Sequence, residues 1–349
     1  RLLERNPDAT ILMTAMTDTG LAQAQKMFGD QVRYAYVPYD TPGSVRRFLA
    51  RVQPRILVIM ETEIWPNLIS QTRKARVPIF LINARLSERS ARGYERVRGL
   101  ARPIMQSISW VAAQAEQDAS RFRRIGVSAD NIAVTGSVKF DVDIEPRVRT
   151  LAKELRAQFG GRPVWIAGST HDGENSQLLQ AHRQLLATMP DALLIIVPRH
   201  PERFESVAKA VTEDGFSLAR RSLRDSPAHA QVYLGDTMGE LMMLYGASDL
   251  AFIGGSLIER GGHNPLEPAA WGIAVVSGPH VFNFGSIYQR LQEHEGVTIV
   301  NSARELGGHL ARLLSDQQAL HESGQRALAV VESNRGALDR VVAGISQRV

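Results

Sequence analysis

Apolar residues in this chain fall in short runs separated by longer stretches in which they recur at helical spacing. Runs of strand length lie at 10–16, 32–37, 55–60, 78–82, 110–113 and 132–135, then at 164–167, 192–197, 231–234, 250–253, 273–276 and 297–300. Helical patterns alternate with most of them, at 44–52, 66–76, 89–107, 114–125, 147–159, 174–189 and 201–214. Such alternation predicts an α/β fold of two Rossmann-like, doubly wound parallel sheets facing a cleft. The polar, proline-bearing segment 141–146 breaks the pattern, so the expected domains are 1–143 and 144–349, the second ending in helices after residue 301. Ligands of such sheets sit at the C-terminal ends of strands. Residues 1–5 read as the tail of an amphipathic helix stopped by Asn6-Pro7, and a strand follows directly. A helix feeding a strand predicts an earlier strand upstream of residue 1.

Composition narrows the chemistry. With 349 residues the chain can bury two cores, and with no cysteine it has no thiol nucleophile, disulfide or cysteine-held metal. The net charge of +5 is spread along the chain, and aromatics make up only 6%, without the basic interleaving that stacks bases. Anionic partners are expected; nucleic acid is not. No apolar run approaches the ~18 residues of a membrane span. The nine histidines show no HxxxH or HExxH spacing, so no metal is expected. Asp141-Val142-Asp143 mimics a DxD metal motif, but three residues in an acidic linker match by chance.

The richest segment is 252–268, where a strand runs into a loop with four glycines and Asn264-Pro265 opens a helix. Asn suits a cap and Pro the first turn, so the N–H groups of Leu266 and Glu267 are expected free to face an anion. The plainer reading is a capping box of Asn264 and Glu267. GxGxxG and the Walker lysine are both absent, which removes support for hydride transfer and for P-loop chemistry. Other loops follow strands in the second half: Gly168 to Glu174, Pro198-Arg199-His200-Pro201, and Gly235 to Glu240 with Met238 and Gly239. All would reach one edge, where Arg199 could pair with a phosphate or carboxylate. In the first half Glu61 and Glu63 follow a strand, and alternation puts them on one side if the chain stays extended. Ser87 is a candidate cap.

Together Met60-Glu61-Thr62-Glu63-Ile64-Trp65-Pro66-Asn67, Asn83-Ala84-Arg85-Leu86-Ser87, Thr135-Gly136-Ser137-Val138-Lys139-Phe140-Asp141, Gly168-Ser169-Thr170-His171, Pro198-Arg199-His200-Pro201-Glu202-Arg203-Phe204 and Gly261-Gly262-His263-Asn264-Pro265-Leu266-Glu267-Pro268 resemble, in order, the motifs of the 3-deoxy-D-manno-octulosonic acid (Kdo) transferases. The resemblance implies a GT-B fold, with an N-terminal domain for the lipid A precursor and a C-terminal domain for CMP-Kdo. It implies an inverting transfer in lipopolysaccharide synthesis at the cytoplasmic face of the inner membrane, with no cofactor. It assigns CMP to Pro198, Arg199, His200, the loop Met238-Gly239-Glu240, and Asn264, Pro265, Leu266 and Glu267. Glu61 and Lys139 match positions that stabilise the transition state. The family's general base, a glutamate at the end of its first strand, and its membrane anchor would lie upstream of Arg1. Peripheral membrane contact would then fall to basic and apolar surface of the N-terminal domain such as the arginine-bearing stretch 89–107, whose plainer reading is a solvated helix. Ser137 stands where members often carry Asn. Two other readings compete: a sugar-nucleotide epimerase, and a nucleotide-binding module without catalysis.

Overall fold

A computed structural model describes residues 1–61 and 63–348. The chain folds into two units, residues 1–138 with 336–349, and residues 139–335. The division falls earlier than the proposed 143/144 boundary, and the last helix belongs to the first unit rather than the second.

The first unit contains β1 (Leu12–Ala15), β2 (Arg33–Tyr36), β3 (Leu57–Met60), β4 (Ile79–Ala84), β5 (Trp110–Ala113) and β6 (Ile132–Val134). β1 pairs with β2, and β3 to β6 form a separate four-stranded sheet in sequence order, all parallel. β5 is buried along its whole length, as expected of a parallel strand covered on both faces. One face packs on the core of Ile69, Leu81, Met105, Phe122 and Ile125. The other gathers Phe80, Trp110 and Ala112 against Val341 and Ile345 of the helix Ala337–Ser346. That contact explains why the chain's end returns here. A Cβ at Gly344 would lie 2.3 Å from the Trp110 ring, so only glycine lets helix and indole meet this closely.

The stretch expected as one helix at 89–107 is two, Glu88–Arg96 and Arg98–Met105. Val97 between them leaves helical geometry at φ −109°, ψ 33°, and Pro103 in the second helix has no N–H to donate. Ser87 caps the first as expected, accepting from the Ser90 amide at 3.1 Å.

The second unit holds β7 (Val164–Thr170), β8 (Leu193–Pro198), β9 (Leu218–Arg220), β10 (Val232–Leu234), β11 (Leu250–Ile253), β12 (Ala274–Ser277) and β13 (Thr298–Ile299). Its sheet runs β13-β12-β11-β7-β8-β10-β9, and every pair is parallel. β9 is a three-residue edge strand too short for the apolar pattern to reveal. β7 is buried at all seven positions. Trp165 and Ala167 face the core under Leu178, Leu185, Leu306 and Leu310, while Val164 and Ile166 face Leu155, Phe159 and Leu244. The strand order reverses direction between β7 and β11. Such a switch point opens a crevice beyond the carboxyl ends of the two strands.

Candidate functional site

The crevice between the ends of β7 and β11 is built around one buried carboxylate. Glu174, 0% exposed, accepts from the backbone N–H of His171 at 3.0 Å and Gly255 at 2.7 Å with one oxygen. The other accepts from Ser256 at 3.0 Å and Leu257 at 3.1 Å. The glycines allow this approach. A Cβ on Gly254 would lie 2.4 Å from the Ser169 carbonyl, and Gly255 adopts φ +71°, which disfavours any L side chain.

From this base two imidazoles meet. His171 and His263 share an Nε2···Nε2 hydrogen bond of 2.8 Å with their rings parallel, and His200 packs edge-on to His171. Burial, His171, Arg199 and His200 hold the His263 imidazole down to about 4. The His171 imidazole is lowered as well, by burial and by the charges of His200, Arg260, Arg203 and Arg199. Three arginines around two neutral rings favour an anion.

Asn264 and Glu267 stand beside this group. Glu267 is half-buried, accepts from the Asn264 amide at 3.3 Å, and has its carboxyl raised by burial, against the pull of Asn264 and Arg199. The helix behind it, Leu266–Ala270, is only five residues long, and the Leu266 amide already donates to Asn264 Oδ1 at 3.1 Å. The expectation of a free Leu266 N–H is therefore corrected, and so short a helix has little dipole. Pro265 and Leu266 are buried supports.

The remaining CMP candidates behave differently from one another. Pro198 ends β8 buried, whereas Arg199 and His200 are exposed and Arg199 N–H donates to the Thr170 carbonyl at 3.0 Å. In the β10 loop Met238 is exposed and Gly239 has φ +85°. The Glu240 carboxylate is held by Arg221 through bonds of 3.0 and 2.9 Å and also accepts from Thr237. That pairing lowers its carboxyl below the usual range and leaves backbone as this loop's readiest contribution.

In the first unit Glu61 follows β3 at φ +56°. The left-handed backbone at Glu61 departs from the extended geometry on which the expected alternation of Glu61 and Glu63 depends; Thr62 lies outside the described residues. Glu63 instead accepts from the Trp65 indole at 2.8 Å. Glu61 accepts from the Asn83 amide at 3.4 Å. Asn83, 1% exposed and at φ +49° in an irregular register of β4, also accepts from the Val138 N–H at 3.2 Å. Asp40, 27 residues before Asn67 in sequence, accepts from the Asn67 and Leu68 amides and so caps the helix Pro66–Lys74. In the second unit Lys139 lies in a 3-10 turn, Val138–Phe140, with Nζ 5.8 Å from the Phe284 ring centroid. Among the described residues no three His, Asp or Glu side chains form a metal-binding group, and no helix is long and apolar enough to cross a membrane.

Sequence reasoning missed Glu174, the His171–His263 pair and Asn83 as site residues. Glu174 closes a loop whose other half lies about 80 residues on, and a single sequence gives no sign of that pairing.

Residues 1–142 match the family described as "3-Deoxy-D-manno-octulosonic-acid transferase (kdotransferase)". A 3-deoxy-D-manno-octulosonic acid transferase of Haemophilus influenzae is 41% identical over 98% of this chain and 81% of its own length. The crystal structure of the C-terminal CMP-Kdo binding domain of WaaA from Acinetobacter baumannii is 34% identical, covering 54% of this chain and 99% of that domain with a TM-score of 0.52. Anabaena Alr3699/HepE in complex with UDP and glucose covers all of this chain and 94% of its own at 14% identity and a TM-score of 0.58. That last likeness speaks for the fold alone, which is GT-B.

Proposed function

This chain belongs to the Kdo transferase family, a glycosyltransferase family of lipopolysaccharide synthesis, and from that premise we propose that it moves Kdo from CMP-Kdo to a lipid A precursor with inversion. Family membership sets aside the epimerase reading, which rested on paired Rossmann-like domains and candidate catalytic carboxylates. One observation carries the donor assignment: Arg199, His200, His171, His263 and Glu267 converge at the switch point of the second sheet. Arginine charge suits the phosphate of CMP, and the Glu267 carboxylate suits hydroxyls of its ribose. Pro198, the Met238-Gly239-Glu240 loop and Asn264 to Leu266 complete the proposed CMP surround.

In the proposed reaction an acceptor hydroxyl oxygen attacks the anomeric carbon of Kdo as the bond to the CMP phosphate oxygen breaks. The electron pair leaves with CMP, and the hydroxyl proton passes to a general base. Lys139 neutralises charge gathering on the phosphate or the Kdo carboxylate. Glu61, turned by its left-handed backbone and held by Asn83, favours the oxocarbenium-like centre. The acceptor is assigned to the first unit, and contact with the inner membrane to basic and apolar surface there.

The test is incubation of the protein with CMP-Kdo and lipid acceptor while glycolipid mass is followed. A product heavier by one or more Kdo residues with equivalent CMP release is expected. CMP-Kdo altered without lipid product would overturn the transfer, and nucleotide binding without turnover would leave only the binding-module reading.

A further inference from the structure

The geometry points to Glu174 as a positioning residue that pre-forms the donor site through the backbone, without touching the donor itself. This rests on the reading above for the ligand, though not for the linkage. A buried carboxylate is costly unless its oxygens are satisfied, and here all four partners are main-chain N–H groups from two separate loops. Charge-assisted bonds of this kind are stronger than neutral ones. The carboxylate therefore fixes the β7 loop and the glycine loop in one register.

The segment it grips is a junction. The Gly255 carbonyl accepts from Gly262 N–H at 2.9 Å, and the Gly254 carbonyl from His263 N–H at 3.2 Å. Ser256 holds the loop after β12, its carbonyl accepting from His280 N–H at 3.0 Å and its Oγ from Gly278 N–H at 2.7 Å. Movement of residues 255–257 thus reaches His263, and through it Asn264 and Glu267. A Cβ added to Gly255 would stand 3.2 Å from the His171 ring and 3.4 Å from that of His263, so the imidazole pair rests directly on the gripped backbone. Glutamine in place of Glu174 has the same shape, but its NH2 would face two N–H donors and leave them unpaired.

The experiment compares the full chain with Glu174→Gln by amide hydrogen exchange and CMP calorimetry. A core variant away from the site, Leu310→Ala, serves as the control for general destabilisation. In E174Q, exchange at both 255–257 and 263–267 should rise about tenfold while β8 stays protected, and CMP affinity should fall about tenfold. L310A should keep its CMP affinity at a comparable loss of melting temperature. Gly255→Ala, which strains the same junction with Glu174 intact, should reproduce the exchange pattern and covers the case in which E174Q does not fold. Faster exchange confined to 255–257, with 263–267 unchanged, overturns the inference; so does an affinity loss that L310A matches. If the unaltered chain binds no CMP, the nucleotide reading falls while the exchange pattern still decides the linkage.

Discussion

The indole N–H of Trp165 donates to Nδ1 of His182 at 3.1 Å, in the middle of the second unit's core. Because the indole can only donate, Nδ1 is an acceptor, and the ring proton is on Nε2, which donates to the Gln231 carbonyl at 2.9 Å. His182 is 0% exposed, and burial holds its imidazole down to about 4.

That tautomer makes stability depend on acid. An unfolded histidine titrates near ~6.5, so between about pH 6.5 and pH 4 the unfolded chain binds a proton that the folded chain refuses. Stability therefore falls as pH drops through this window, by roughly 3 kcal/mol from His182 at its lower end, and is flat above it. His263 and His309, also held at about 4 by burial, add to the slope. Urea denaturation at pH 7 and pH 4.5 measures the change. His182→Gln keeps both hydrogen bonds available without titrating and should remove its share of the slope; an unchanged slope would assign it to other groups.

Glu267→Ala should lower CMP affinity by ten- to a hundredfold, since a charge-assisted hydrogen bond contributes about 1.5–3 kcal/mol. Its helix is one short turn already capped by Asn264, so the loss of fold stability should be small. Calorimetry and thermal denaturation on the same samples separate the roles. Retained affinity with a lowered melting temperature would make Glu267 a helix-start residue only.

Glu61→Gln and Lys139→Ala should each reduce turnover ~10²–10³-fold with little change in CMP affinity. Asn83→Ala removes the amide that holds Glu61 and should produce a smaller fall in turnover. Near-normal turnover in folded E61Q and K139A would remove both from the chemistry.

Membrane contact should come from the broken helix of the first unit. At its break Val97 and Leu100 are 51% and 77% exposed, beside Arg96, Arg98 and Arg102 in sequence. Binding to vesicles containing anionic phospholipid should weaken with salt, with Arg96→Glu and with Leu100→Glu. Arg92 already pairs with Glu88 at 3.1 Å, so its reversal should matter less than that of Arg96. Binding indifferent to salt and to both substitutions would exclude this surface.

Sequence alone determined the alternation of strands and helices, because parallel strands buried on both faces must be continuous apolar runs and their covering helices must be amphipathic. It also marked Arg199, Asn264, Glu267 and Glu61 as candidates, since these stand at strand ends or in loops beside glycine, proline or caps, and Lys139 through the family resemblance. Tertiary structure decided what those residues meet. That Glu174 grips Gly255, Ser256 and Leu257, that His171 bonds His263, and that Asn83 holds Glu61 depend on which strands are neighbours in the sheet, and strand order leaves no periodic trace in sequence. The return of Ala337–Ser346 to the first unit was hidden for the same reason, since an apolar stripe does not name the core face it covers; here Val341 and Ile345 pack on Phe80 and Trp110, and the bare backbone of Gly344 lets the Trp110 ring approach. Local rules fix which elements form, whereas long-range packing fixes which side chains share a site.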